Sequence, residues 1–321
     1  MRLAKFLNEG NEIVLIFLAW LVCFVIDTFW ILAHKLPPAW DQSTHLSSAF
    51  EISYLINSFN LFDSQWWQEL WSKAPTYRGP FTYLITVPIL KLWGLSYKAA
   101  IFVNQIFNGI LFFSTYYLAK FIHSRQAGLW AVFFCAVSPV FLDQRIDYLI
   151  DFPLTALISL SWLLLSYLRW NNTINKWIIS IGLGVSLGLT FLTRPTGLIF
   201  LTLPLIIIII SGIVKSYRGR FTQFFQITIS LLIGFLISWP WFNQNWLTIL
   251  TSINKAREWG VLYQDGLEIN SLGAWLFYPL KIPQIIGSFL FGFIIIGIII
   301  ELYQQSKSIK ITNKSYLRKD Y

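Results

Sequence analysis

The chain has 321 residues, of which 56% are hydrophobic and only 12% charged, with a formal net charge of +9. A soluble domain carries roughly 25% charged residues, so a water-soluble fold is excluded, and the apolar residues come in blocks long enough to cross a bilayer. The two cysteines, Cys23 and Cys135, lie inside apolar blocks with no CxxC or Cys/His spacing, which gives no basis for a disulfide framework or a zinc site.

Hydropathy reads as an all-α polytopic transmembrane bundle forming a single membrane domain over residues 1–321. A span needs about 20 mostly apolar residues. The first is 11–33. It follows a basic N-terminus as a signal peptide would, but it is too long for that and lacks a small-residue cleavage site, so it reads as an uncleaved span. A long outer loop, 34–96, follows. Within it, Asp41–Asn57 places Leu46, Ala49, Phe50, Tyr54 and Leu55 on one helical side, and Asp63–Trp71 is rich in tryptophan. Both predict amphipathic helices resting on the membrane surface. The block Phe81–Gly94 is short and contains Pro88, and is read as an interfacial or re-entrant segment.

Six spans are then expected within 97–241: 97–121, 126–141, 148–168, 177–193, 196–213 and 221–241. In the fifth span of the chain, Gly182, Gly184 and Gly188 suit close helix packing. A second outer loop, 242–282, leads to an eighth span at 283–302 and a basic tail at 303–321.

Charge orients this bundle. With the N-terminus inside, the inner segments hold 14 basic and four acidic residues, and the outer segments hold ten of each. The positive-inside rule then puts both termini in the cytoplasm. The +9 charge is thus a topology signal rather than a nucleic-acid patch. Had Phe81–Gly94 crossed the bilayer, Lys120, Arg125 and the Lys215–Arg220 cluster would lie outside, against that rule.

Polar residues that hydropathy cannot explain gather at the outer side. Asp41 follows a double proline, and His45 lies one helical turn on. Arg78 precedes Gly79-Pro80. Asp143, Arg145, Asp147 and Asp151 crowd the junction between the third and fourth spans, and Arg194 precedes Pro195. Each has a plain structural reading: Asp41 as a helix N-cap, Arg78 and Arg194 snorkelling to headgroups, the aspartates as a solvated junction. Asp27, inside the first span, reads as an interior group that locks helices together. Convergence favours function. An arginine fork matches phosphate oxygens, and a carboxylate can deprotonate an incoming hydroxyl or amine.

Four stretches carry a family resemblance: Trp40-Asp41-Gln42-Ser43-Thr44-His45, Tyr77-Arg78-Gly79-Pro80-Phe81, Ser138-Pro139-Val140-Phe141 leading to Asp151-Phe152-Pro153, and Gly188 to Gly197 with Arg194-Pro195. In order and spacing they resemble the GT-C superfamily of polyprenyl-phosphate-sugar glycosyltransferases, in particular the protein O-mannosyltransferase-like and lipid A aminoarabinose transferase-like branches. The resemblance implies transfer of a sugar from a polyprenyl-phosphate donor, usually with inversion, to a lipid, glycan or protein acceptor on the outer face. It implies Asp41 as base, His45 supporting it, Arg78, Arg194 and Arg145 toward the donor phosphate, and Asp151 shaping the sugar or acceptor side.

Two positions depart from the family pattern. Gln42 stands where a second acidic residue is common, and Tyr77 where the aminoarabinose branch has an acidic one. Family members also commonly continue with further spans. A compact member, a truncated product and an inactive relative all stay open. No nucleotide-binding loop or DxD-like motif is present, and no cofactor is implied. Asp143 and Asp147 have a spacing that could hold a cation, but a metal-independent reaction is preferred. A transporter or flippase, or a non-catalytic scaffold, are the rival readings; paired discontinuous helices and internal repeats would favour the transporter.

Overall fold

The computed structural model describes residues 11–74, 78–170, 175–217, 221–263 and 270–317. Arg2, Lys5, Tyr77, Arg218, Arg220 and the end of the basic tail lie outside the described residues. Every regular element among the described residues is helical. The chain divides into two compact units, one of Met1–Val137 and Phe141–Ala256, the other of Ser138–Val140 and Arg257–Tyr321.

Six helices are long and apolar enough to cross a membrane, and two bent pairs bring the number to eight if each pair is one span. Helix α1 (Glu12–Ala33) is followed by α2 (Trp40–Leu55), α3 (Ser64–Lys73) and α4 (Phe81–Trp93). The short α5 (Tyr97–Ile101) runs into α6 (Val103–Ile122), and α7 (Arg125–Val137) meets α8 (Pro139–Ile146) at a 59° bend. Then come α9 (Asp151–Trp170), α10 (Lys176–Thr193), α11 (Ile199–Tyr217) and α12 (Thr222–Tyr263). In the second unit, α13 (Leu272–Ile286) and α14 (Ser288–Leu317) meet at a 106° bend. Apolar side chains cover the outside of α1, among them Phe17, Val22, Phe29 and Leu32. Such a surface is solvated by lipid chains, not by water.

The segment after α1 differs from expectation in how it packs. Helix α2 does form, but its buried side is His45, Ser48, Ala49, Ile52, Ser53 and Leu55, and Tyr54 is exposed. Small residues on that side let α2 lie against α4. Helix α4 has 13 residues, about 20 Å at 1.5 Å per residue, and buries Thr82, Tyr83, Thr86, Val87, Ile89 and Leu90. Of these, Tyr83, Val87, Ile89 and Leu90 join the largest apolar cluster, with Ile52, Trp66, Leu70, Phe107 and Phe152.

The region expected as a second outer loop, 242–282, is largely helical. Helix α12 continues through Tyr263, and α13 begins at Leu272. Hydropathy falls there because Asn243, Gln244 and Asn245 are polar, but polarity alone does not end a helix. The glycine expectation holds in detail for two of three positions. A Cβ at Gly184 or Gly188 would lie 2.6–2.8 Å from the Ser230 carbonyl, Ile233 and Ile237 of α12, whereas Gly182 is in ordinary contact. The α10–α12 crossing therefore requires the absence of side chains at Gly184 and Gly188.

Candidate active site

The site is built at the head of α2. Pro38 leads into Ala39, the N-cap, so Asp41 is in the first helical turn and is not itself the cap. Gln42 takes the reciprocal role: its Oε1 accepts from the Ala39 N–H at 2.9 Å. One turn on from Asp41, His45 points the same way, and both meet Arg78.

The Arg78 guanidinium lies 3.4 Å from Asp41 Oδ1 through Nη2 and 2.7 Å from His45 Nε2 through Nη1. The other ring nitrogen, Nδ1, is 2.6 Å from the Tyr83 hydroxyl. These contacts fix the tautomer. Arginine can only donate, so Nε2 accepts and Nδ1–H donates to Tyr83. A charged imidazolium would present a proton to the guanidinium, and the surroundings oppose it. Burial and the Arg78 charge push the His45 pKa down to about 4, against the pull of Asp41, and Arg194 adds to the depression. His45 therefore supports Arg78 directly, and Asp41 only through it. The link expected between His45 and Asp41 runs through the arginine.

Arg78 is brought here by its neighbour. A Cβ on Gly79 would overlap the Leu192 carbonyl at the end of α10. The 78–80 turn is thus seated on the α10 C-terminus, two residues from Arg194. Arg194 donates to Asp151 Oδ1 at 2.7 Å, with both side chains partly exposed. That pair belongs to the same neighbourhood, since the Arg194 charge is felt at His45.

Arg145 is placed otherwise than expected. It is 2% exposed, and its Nε and Nη2 lie 2.8 and 3.1 Å from the two oxygens of Asp27, itself 1% exposed. Gln105 Nε2 adds a third bond to Asp27 at 3.0 Å, and Arg145 Nη1 donates to the Ala136 carbonyl. An arginine committed to a buried carboxylate is not a surface for donor phosphate. Asp27 has the locking role expected of it, and Arg145 is its partner.

The same region reveals residues that sequence reasoning had not singled out. Asn104 on α6 donates to the carbonyls of Gln144, Arg145 and Asp147, closing the end of α8. This holds Asp147 beside Gln42, with which it is hydrogen bonded. Burial pushes the Asp147 pKa up, and the nearby Asp143 adds to this. Gln42 Oε1 also accepts from the Tyr97 hydroxyl at 2.8 Å. The position where a second acidic residue is common is thus occupied by an amide that joins an acid from the α8–α9 connection. The Asp143–Asp151 crowding was the available signal, but spacing could not say which aspartate turns toward α2. Among the described residues, no group of three His, Cys, Asp or Glu side chains is arranged to hold a metal ion.

The first turn of α2 separates two polar settings. Asp41 and His45 face Arg78. Gln42, about 100° around the helix, faces Tyr97 and Asp147, which line a cavity of about 610 Å³ together with Trp30, His34, Lys35 and Lys98.

Comparisons with known proteins bear on the fold and the family. The structure of ArnT from Cupriavidus metallidurans bound to undecaprenyl phosphate is similar, with a TM-score of 0.53 at 16% identity over 74% of this chain. The matched part covers 41% of the ArnT chain. No curated protein matches the sequence. The family profile described as dolichyl-phosphate-mannose-protein mannosyltransferase matches residues 77–242, just over half of the chain and a stretch that includes Arg78, Asp147, Asp151 and Arg194. With the helical membrane fold and the clustering of those residues at one end of the helices, the chain belongs to the GT-C membrane glycosyltransferase family of that description.

Proposed function

We propose that the chain transfers a sugar from a polyprenyl-phosphate-linked donor to an acceptor on the extracytoplasmic face, with inversion at the anomeric carbon. The observation that carries this reading is the constellation of Asp41 and His45 around one guanidinium, Arg78, with Tyr83 bonded to the far nitrogen of His45. The undecaprenyl phosphate bound to the structurally similar ArnT supports a polyprenyl donor. The basic bias of the inner segments supports cytoplasmic termini and an outer site.

The donor phosphate is a leaving group already attached to a lipid. It takes the place of Asp41 on the Arg78 fork, and Arg194 adds a second cation. Neutral His45 holds the fork in plane without adding charge. Displaced from Arg78, the Asp41 carboxylate faces the acceptor. It accepts the proton of the acceptor X–H as the X–C1 bond forms. The C1–O bond breaks in the same step, and its electron pair leaves on the polyprenyl phosphate, whose added charge the arginines stabilise. No step requires a metal or an organic cofactor.

The test is a transfer assay in membranes with radiolabelled polyprenyl-phosphate sugars, comparing the wild type with Asp41→Asn. We expect label to reach an acceptor with the wild type and the rate to fall by about 10²–10⁴-fold in the variant. Equal turnover by the two removes Asp41 from the mechanism. Absence of transfer from every donor favours a non-catalytic membrane scaffold, and donor movement without transfer favours a flippase.

A further inference from the structure

The cavity on the Gln42 side of α2 has a composition of its own. Its volume, about 610 Å³, lies within the range of roughly 300–1,000 Å³ typical of small-molecule sites, too large for an inorganic ion alone. Three basic side chains line it, His34, Lys35 and Lys98, against one carboxylate, Asp147. Lys98 is positioned by donating to the Leu32 carbonyl at 2.7 Å, which leaves its ammonium with two further N–H groups. Apart from Ser96, the remaining wall is apolar or aromatic, with Trp30, Leu36, Pro38, Tyr97 and Ile101 among its residues. Trp30 and Leu36 are also largely exposed, so the cavity rim continues the apolar surface of α1.

Neither this cavity nor its lysines are needed by the donor phosphate, for which Arg78 and Arg194 stand on the Asp41 side. A setting of excess positive charge with an apolar margin recognises an anionic group on an amphiphilic or sugar-bearing molecule. The Tyr97–Gln42–Asp147 bonds tie its wall to the helical turn that carries Asp41. We propose that this cavity is the acceptor subsite, and that the acceptor carries a phosphate or carboxylate bound there by Lys35 and Lys98. The assignment as an acceptor subsite rests on the glycosyltransferase reading; the anion-binding property does not. The two cationic settings then hold the donor phosphate and the anionic end of the acceptor on adjoining faces of the α2 first turn, and the acceptor's reacting group extends past Gln42 to Asp41 on the donor side.

Equilibrium dialysis of the purified full chain tests this with two labelled probes, dioctanoyl phosphatidic acid for a lipid source and glucose 6-phosphate for a soluble one. Dioctanoylglycerol and glucose are the uncharged controls. We expect one phosphate probe to bind the wild type in a salt-sensitive manner and its uncharged control not to bind. Affinity should fall about tenfold or more in Lys35→Gln/Lys98→Gln, be kept in Lys35→Arg/Lys98→Arg, and be unchanged in Arg78→Gln. The probe that binds identifies the source. Binding of neither probe, equal affinity in the glutamine variant, or loss in Arg78→Gln overturns the proposal. If the glutamine variant does not fold, salt-insensitive binding to the wild type, or loss in a folded arginine variant, overturns it equally. In the same preparations, polyprenyl phosphate binding that is lost in Arg78→Gln supports the donor reading whatever the lysines do, so the two ideas can fail separately.

Discussion

Gly79 lies against the backbone of Leu192 so closely that a single added carbon would overlap the Leu192 carbonyl. Two segments more than a hundred residues apart are joined at a point where one has no side chain. The contact sets Arg78 at its distances from Asp41 and His45 and places it near Arg194. Gly79→Ala should therefore push the 78–80 turn off α10. The destabilisation should be about 1–3 kcal/mol, the usual range for overpacking. A thermal-shift measurement on purified protein reads that loss, and a donor-binding assay reads the displacement of Arg78. Unchanged values in both would show that the turn can relocate without harm to the site.

Arg78 is asked to do more than supply charge. Its two terminal nitrogens serve different partners, Asp41 and His45, a division that a lysine ammonium cannot reproduce in one plane. Arg78→Lys should therefore lose most of the donor affinity although the charge is kept, with a transfer rate nearer that of Arg78→Gln than that of the wild type. Measured kcat and KM for the donor in the two variants check this. A lysine variant close to wild type would reduce the role of Arg78 to simple electrostatics.

The membrane fold was legible in the sequence because a span must carry a long, mostly apolar run, and α1, α9, α10 and α11 do. The site was legible in part. Asp41, His45 and Arg78 stood out as polar residues beside apolar blocks, and the structure joins them. Arg145 stood out for the same reason, yet it turns inward to Asp27. A one-dimensional reading registers that a charge is present, not which of two available partners it meets. The pairings of Tyr83, Tyr97 and Asp147 were obscured for a related reason. Their partners lie 38, 55 and 105 positions away in the sequence, at His45 and Gln42, and no local period reveals such pairs. Helix α12 was cut short because hydropathy measures polarity rather than helicity.

The Asp27–Arg145 pair should show the asymmetry of buried charges. Removing one partner strands the other away from water, at a cost of about 3–5 kcal/mol, whereas replacing both by apolar residues of similar size is often neutral. Asp27→Leu and Arg145→Met should each lower the thermal stability of the protein, and the double variant should recover most of the loss. Because Arg145 lies two residues before Asp147, and Asn104 grips the carbonyls of both, the single variants should also loosen the α8–α9 connection. Hydrogen exchange over 143–151 would detect that. Additive losses in the double variant would mean that the two side chains do not act as a pair.

The remaining prediction concerns pH. His45 has its pKa pushed down to about 4 from an ordinary 6.5, first by burial and then by Arg78. The folded state therefore holds His45 neutral where the unfolded chain would bind a proton. Between about pH 6.5 and pH 4 the unfolded state carries more protons, so stability rises with pH across that window. The contribution is complete above pH 6.5 and is lost as pH falls toward 4. Protonation also removes the Nε2 acceptor that steadies Arg78, so donor affinity should fall over the same interval. His45→Gln provides the control, since a glutamine can offer an oxygen to Arg78 and an N–H to Tyr83 without titrating. Melting temperature and donor affinity measured from pH 4 to pH 8 should slope in the wild type and flatten in His45→Gln. Equal slopes in the two proteins would assign the pH dependence to a group other than His45. Asp147 would not be that group, because its pKa is pushed up by burial and by Asp143, so its folded form binds more protons and its contribution to stability falls as pH rises.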